Sequence, residues 1–262
     1  MTRSLSASLS LSLSLSLSLS LSLSLSLSSC GDARNGTMND GGALLDAGAD
    51  AGTLIDAALA PDTGSAPPIT ADEIRAALGA RCTPVTGTGL YAPDTGTPST
   101  IPICQGPGTV LYWESDIDVD CDGGRTTTCT IDPAYMPDTS ATGSDGRPID
   151  AETVPFIVIP LPSARFRYPD HQIDLGQIAL VTFGNHWAFG VFADEGPSDI
   201  IGEASYAMNA LLGVDPDPRT GGADSGATFV VFTGASARIG AIEDHGAAVA
   251  AGMPLLNALL GR

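Results

Sequence analysis

Lysine is absent from the 262 residues, and the 11 basic side chains are all Arg, against 30 acidic ones and a formal net charge of −19. Binding a phosphate backbone needs clustered cations, so this balance argues against nucleic acid as a partner. It favours a cationic substrate or ion, which an acidic cleft would concentrate, although acidity also serves the plain solubility of an exported protein. Aromatic residues are scarce at 5%, while 31 Gly and 19 Pro punctuate the chain. That composition speaks against a helical bundle and for a β-rich body with many turns. No C-x-x-C pair occurs, and His171, His186 and His245 lie far from every Cys, which argues against zinc. Ser205 has no nucleophile-elbow context. Past the N-terminal segment no apolar run is long enough to span a bilayer.

What is present begins with a Ser-Leu alternation over residues 4–29, after a single Arg3. Period two over such a length is low-complexity sequence rather than a strand. A positive start, an apolar middle and small residues before Cys30 read as a signal peptide over residues 1–29. Leu27-Ser28-Ser29-Cys30 is similar to a bacterial lipobox, in which the Cys is acylated and becomes the mature N-terminus. The expectation is therefore an exported protein tied to a membrane by a lipid on Cys30. Residues 30–69 are rich in Gly, Ala, Asp and Pro and lack aromatics. They bury too little apolar surface to offset ordering entropy, and read as a flexible linker before a folded domain over residues 70–262. With Cys30 acylated, Cys82, Cys104, Cys121 and Cys129 remain, an even set suited to disulfides in an oxidising compartment. Three connectivities are open, and the local one, Cys82 with Cys104 and Cys121 with Cys129, is preferred.

Within the domain, Thr70 with Glu73 three residues on is a capping box, followed by Ile74, Ala77 and Leu78 on one helical face and a stop at Gly79. "TVLYWESDIDVDCDGG" reads as a strand running into an acidic turn, and "TTTCTID" as strand-like. "VPFIVIP" is a strand, and "GQIALVTF" and "HWAFGVFAD" flank Gly184-Asn185 as a tight hairpin. "GEASYAMNALLG" has helical spacing ending at Gly213, "ATFVVFTG" is a fully buried type of strand, and "DHGAAVAAGMPLLNALLGR" is a terminal helix carrying a Pro.

Two acidic constellations carry chemistry. Asp194 closes an apolar run and Glu203 stands at the apparent mouth of a helix, so both occupy rigid positions that can face one cleft. Two carboxyls across a scissile glycosidic bond serve as acid and base; otherwise Asp194 caps a turn and Glu203 complements a helix dipole. Asp118-x-Asp120-x-Asp122-Gly123 matches the first half of a calcium loop, but its twelfth position is Cys129 rather than Glu. The same acids would suit a subsite for a cationic sugar, or simply form a solvated turn. Trp113, Trp187 and Tyr206 are candidate sugar platforms, with core packing as their alternative role.

Together "DIDVDCDG", "IPLP", "GQIALVTF" and "DEGPSDIIGEASYAM" resemble glycoside hydrolase family 75, the fungal-type endo-chitosanases, over about residues 80–235. The most specific pieces are the D-C-D-G turn and the D-x-G-P…I-G-E-x-S block. The resemblance implies hydrolysis of β-1,4 links between glucosamine units with inversion, and its essential Asp and Glu map onto Asp194 and Glu203. It makes Asp118, Asp120, Asp122 and Tyr206 candidates for holding substrate. Glu195 departs from the family pattern, adding a third carboxylate where a small polar residue is expected. The D-x-G-P…S-Y-A block is also similar to the double-psi β-barrel of lytic transglycosylase-like lipoproteins, which makes cell-wall lysis or glycan binding the alternative function. The expected fold is α+β and mainly β, a double-psi-like six-stranded barrel with a few short helices. The expected protein is a monomeric chitosanase without a cofactor.

Overall fold

The computed structural model describes residues 68–85 and 87–262. The expected signal peptide, Cys30 and the linker as far as residue 67 lie outside the described residues. Helix α1 (Ala71–Leu78) leads, followed by strands β1 (Cys104–Gln105), β2 (Val110–Asp120), β3 (Phe156–Pro160), β4 (Ile178–Phe183), β5 (His186–Gly196) and β6 (Glu203–Ser205). Then come α2 (Tyr206–Leu211), β7 (Ala223–Phe232) and α3 (His245–Leu260). The strands join in the order β1-β2-β6-β3-β5-β4-β7, and β2 also pairs with β7. That last pairing closes six strands into a barrel and leaves β1 outside it, as the mainly-β, double-psi-like expectation requires. Two pairings are parallel, β2 with β6 and β3 with β5, and the rest are antiparallel.

Period-two alternation sends side chains to two apolar layers. One layer takes residues from every barrel strand, among them Trp113, Ile157, Val181, Phe192, Ala204 and Phe229. The other packs Ile74 and Leu78 of α1 and Ala248 and Leu256 of α3 against Leu180, Phe189 and Val230. Two glycines let helices α2 and α3 approach β5. A Cβ on Gly190 would lie 2.5 Å from Met208 Cε, and one on Gly252 would lie 2.5 Å from the Phe189 ring.

Several local expectations hold. Thr70 Oγ1 accepts from the Glu73 N–H at 3.2 Å, and Gly79 ends α1 at a φ of 103°. Gly184-Asn185 joins β4 to β5, with Phe183 opposite His186. Cys82 is bonded to Cys104 and Cys121 to Cys129, the local connectivity.

Others fail for identifiable reasons. "TTTCTID" is a series of turns, not a strand. The Cys121–Cys129 bridge closes a loop there, and the N–H groups of Arg125, Thr126 and Cys129 donate to the Glu152 carboxylate instead of to a neighbouring strand. Glu203 starts strand β6 rather than a helix; α2 begins three residues later, capped by Ser205, whose Oγ accepts from the Met208 N–H at 3.2 Å. Trp113 is not a sugar platform: it is 2% exposed and stacks on Phe229 at 5.3 Å. Trp187 sits edge-on to Phe189 and donates to the Ile69 carbonyl at 3.1 Å, so it belongs to the helix-covered layer.

Candidate active site

The register places the two candidate acids in one row across three strands. Ile157 stands opposite Phe192, yet the next pair is Val158 with Asp194, so Ala193 is the extra residue of a β-bulge. Strict alternation would have sent Asp194 to the side of Phe192. The bulge turns it to the side of Val158. On the other edge of β3, Ile157 is opposite Ala204 in antiparallel register, and one further step sets Glu203 beside Val158. Glu203 is in turn the partner of Asp118 on β2. The row thus reads Asp194, Val158, Glu203, Asp118. Two strand spacings separate the backbones of Asp194 and Glu203, about 9.5 Å.

Both acids line a cleft of about 440 Å³ together with Asp120, Asp122, Glu195 and Val158. Gly196, two residues past Asp194, makes room for Glu203. A Cβ there would lie 2.8 Å from Glu203 Oε2 and 3.0 Å from Val158 Cγ1. Asp194 is held rigidly, its Oδ1 accepting from the Ser140 N–H, the Ser140 hydroxyl and the Glu195 N–H, each at 2.8 Å. Among the described residues no donor reaches the Glu203 carboxyl. Glu195 points its own carboxylate away to Tyr168, whose hydroxyl donates to it at 2.7 Å. Asp120 Oδ1 accepts from the Asp122 N–H at 2.7 Å, and Asp122 Oδ1 from the Met136 N–H at 2.6 Å.

Crowded carboxyls with little water resist ionisation. Burial, and then the charges of Asp118, Asp122, Asp194 and Asp116, push Glu203 up to about 7. Burial raises Asp194 as well, but the Ser140 and Glu195 donors oppose the rise by favouring its ionised form. Asp122 is pushed up to about 6, chiefly by burial, with the Met136 N–H pulling the other way. Asp120 is driven well above the usual range by burial and by Asp122 and Asp194. Asp118 rises to about 6 through burial, Asp94 and Asp224, and Asp116 to about 7 through burial, Asp118 and Asp94.

The three residues of the half calcium loop do not act together. Oxygens of Asp120 and Asp122 group with Asp194, all within 4.8 Å of one another, whereas Asp118 groups with Asp94 and Asp116. Asp116, Asp118 and Asp120 all lie on strand β2, and the two groups divide between Asp118 and Asp120. Tyr206 is partly buried at the head of α2 and is not among the cleft residues.

The family described as fungal chitosanase of glycosyl hydrolase group 75 matches residues 117–253. The chain belongs to this family. It is a glycoside hydrolase acting on chitosan, and the matched span contains every acid of the cleft just described. No curated protein matches the chain. In this group 75 enzyme, sequence reasoning named Asp194 and Glu203, which line one cleft, but missed Val158, Gly196 and Ser140, the residues that space, admit and hold them. Only the glycine carried a signal, as a Gly inside a strand pattern marks close approach of another group.

Proposed function

We propose that the enzyme cleaves chitosan internally with inversion, Glu203 protonating the glycosidic oxygen and Asp194 activating water on the opposite face of the sugar. The observation that carries this reading is the row Asp194, Val158, Glu203 lining one cleft. Inverting enzymes keep their two carboxyls roughly 6.5–9.5 Å apart to admit the water. Side chains rising from backbones two strands apart, with a short apolar residue between them, suit that span. Glu203 raised to about 7 is protonated in mildly acid solution, as a general acid must be. Asp194, gripped through Oδ1 by three donors, is the better base because its ionised form is the one those donors favour. Asp120 and Asp122 hold glucosamine ammonium groups along the cleft wall.

Glu203→Gln should lower turnover on chitosan by at least about 10³-fold with an unchanged melting temperature, because it removes the acid while keeping its shape. Product anomers followed by NMR should appear in the α form first. Normal turnover in the variant, or β products from the native enzyme, would refute the assignment. Cleavage of peptidoglycan with anhydro ends would replace it with a lytic one.

Residues 1–29 act as a signal peptide and 30–69 as a linker between a lipidated Cys30 and the catalytic domain, residues 70–262, which works as a monomer. Support comes from the two disulfides, which suit an oxidising compartment. Mass spectrometry of the mature N-terminus should find acyl chains on Cys30, and an unmodified Cys30 would remove the anchor.

A further inference from the structure

Beyond the cleft, a second acidic group lies at the other end of the row. Asp94, on the turn that follows Ala92, offers a carboxylate oxygen that lies with one each from Asp116 and Asp118 of β2 inside a mutual 4.8 Å. Asp94 and Asp116 precede the span matched by the family, residues 117–253. Asp116 is 5% exposed, and its Oδ1 has no hydrogen-bond partner among the described residues. Burying an unsatisfied carboxylate oxygen costs free energy that a donor, a cation or a proton recovers. The backbone leaves that oxygen its space: a Cβ on Gly202 would lie 2.2 Å from Asp116 Oδ1. Asp116 also borders a separate cleft of about 460 Å³ shared with Glu114, Ser115 and Asp224. Arg75 on that cleft's wall is taken up by Asp72, Thr182 Oγ1 and the Gly184 carbonyl, and does not neutralise the group.

We propose that Asp94, Asp116 and Asp118 bind a calcium ion that fastens the 93–97 turn to strand β2. Three carboxylates are a hard, all-oxygen donor set of the kind calcium takes. Ligands about 2.3–2.6 Å from calcium can stand up to about 5 Å apart, a span that includes the present spacing, while magnesium at about 2.0–2.1 Å draws its ligands closer. Water completes the shell on the exposed side of Asp94. At its base the turn is otherwise tied to the connection between β5 and β6, where the Ala92 N–H donates to the Asp199 carbonyl at 2.9 Å and the Ile201 N–H to the Ala92 carbonyl at 3.1 Å. The ion would bind at the tip.

The test uses the full chain, stripped with EDTA and titrated with calcium chloride by calorimetry at neutral pH, with magnesium chloride as the control. One site with a Kd below about 1 mM is expected. A rise of about 5 °C in melting temperature should accompany saturation. Asp94→Asn should weaken calcium binding at least tenfold while leaving the melting temperature in EDTA within a few degrees of the native value. Asp122→Asn, in the other acidic group, should leave calcium binding intact. No heat and no thermal shift would overturn the proposal. So would equal binding of magnesium, retention of binding in Asp94→Asn, or its loss in Asp122→Asn. A shift produced by glucosamine oligomers but not by calcium would also overturn it and make the group a sugar subsite.

Discussion

Gly196→Ala is the most discriminating perturbation of the candidate active site, because it adds one methyl group and touches no acid. That methyl would sit 2.8 Å from Glu203 Oε2 and 3.0 Å from Val158 Cγ1. Ordinary contact needs about 3.5 Å, so something must give by about 0.7 Å. Val158 is 5% exposed and wedged into the sheet, whereas Oε2 is the free end of a flexible side chain. The glutamate therefore yields. Misplacing a reacting group by about 1 Å can cost about 100-fold in rate, so kcat on a chitosan oligomer should fall roughly 10- to 100-fold, or about 1.4–2.7 kcal/mol in barrier. KM should change much less. Gly196 is not among the positive-φ glycines, so alanine meets no backbone strain. The lower entropy of the unfolded alanine chain contributes about 0.4–1 kcal/mol of stability, which the tight approach to Val158 offsets, and the melting temperature should move by less than about 3 °C. Native kcat in a folded Gly196→Ala enzyme would refute the placement of Glu203 as the acid.

With Glu203 pushed up to about 7, kcat/KM measured in EDTA should decline about tenfold per pH unit above that value, as the acid loses its proton; a plateau extending to pH 9 would refute this. Stability should follow the same groups: Asp118, Asp122 and Glu203 stand near 6, 6 and 7 in the folded enzyme against ordinary values of 3.8, 3.8 and 4.5. Because folding raises these values, the stability they contribute is complete below about pH 4 and is lost as pH rises through 6–7, so the melting temperature in EDTA should drop between pH 5 and pH 8. A flat or rising profile would contradict the burial that causes the shifts.

The barrel was legible wherever alternation, turns and caps agreed. Phe183-Gly184-Asn185-His186 has the composition of a hairpin and forms one, and Thr70 with Glu73 announces α1. The Cys pairs were legible as the local solution, and the motif block led to both acids. What could not be read was geometry that depends on partners distant in sequence. Nothing in "VFADEG" signals the bulge at Ala193, which exists only relative to β3. The helical spacing read over 202–213 hid three residues of strand, since β6 is fixed by pairing with β2 and β3 rather than by its own pattern. The Thr-rich segment at 126–132 has strand composition, but its Thr126 and Cys129 N–H groups go to Glu152, 26 and 23 residues away.

The absence of lysine and the shape of the cleft have one physical consequence in common. Among the described residues, ion pairs join Arg to Asp72, Asp150, Asp145, Asp170, Asp217, Asp174 and Glu73, none of which lines the cleft holding Asp194 and Glu203. Cations that would relax the cleft are spent on other surfaces, and no flexible lysine is present to swing in. Asp120, Asp122 and Glu203 therefore keep a carboxylate repulsion that adds to the burial which chiefly raises them. A polymer carrying an ammonium on each residue relieves that repulsion as it binds, and so gains attraction that a neutral glycan of the same shape does not. Relief is uneven along the cleft. With substrate held as proposed, an ammonium beside Asp120 or Asp122 would restore their ionised state, while Glu203, next to Val158 and with no donor among the described residues, would keep its proton longest. On the proposed assignment, substrate charge would reinforce the difference in protonation between Asp194 as base and Glu203 as acid.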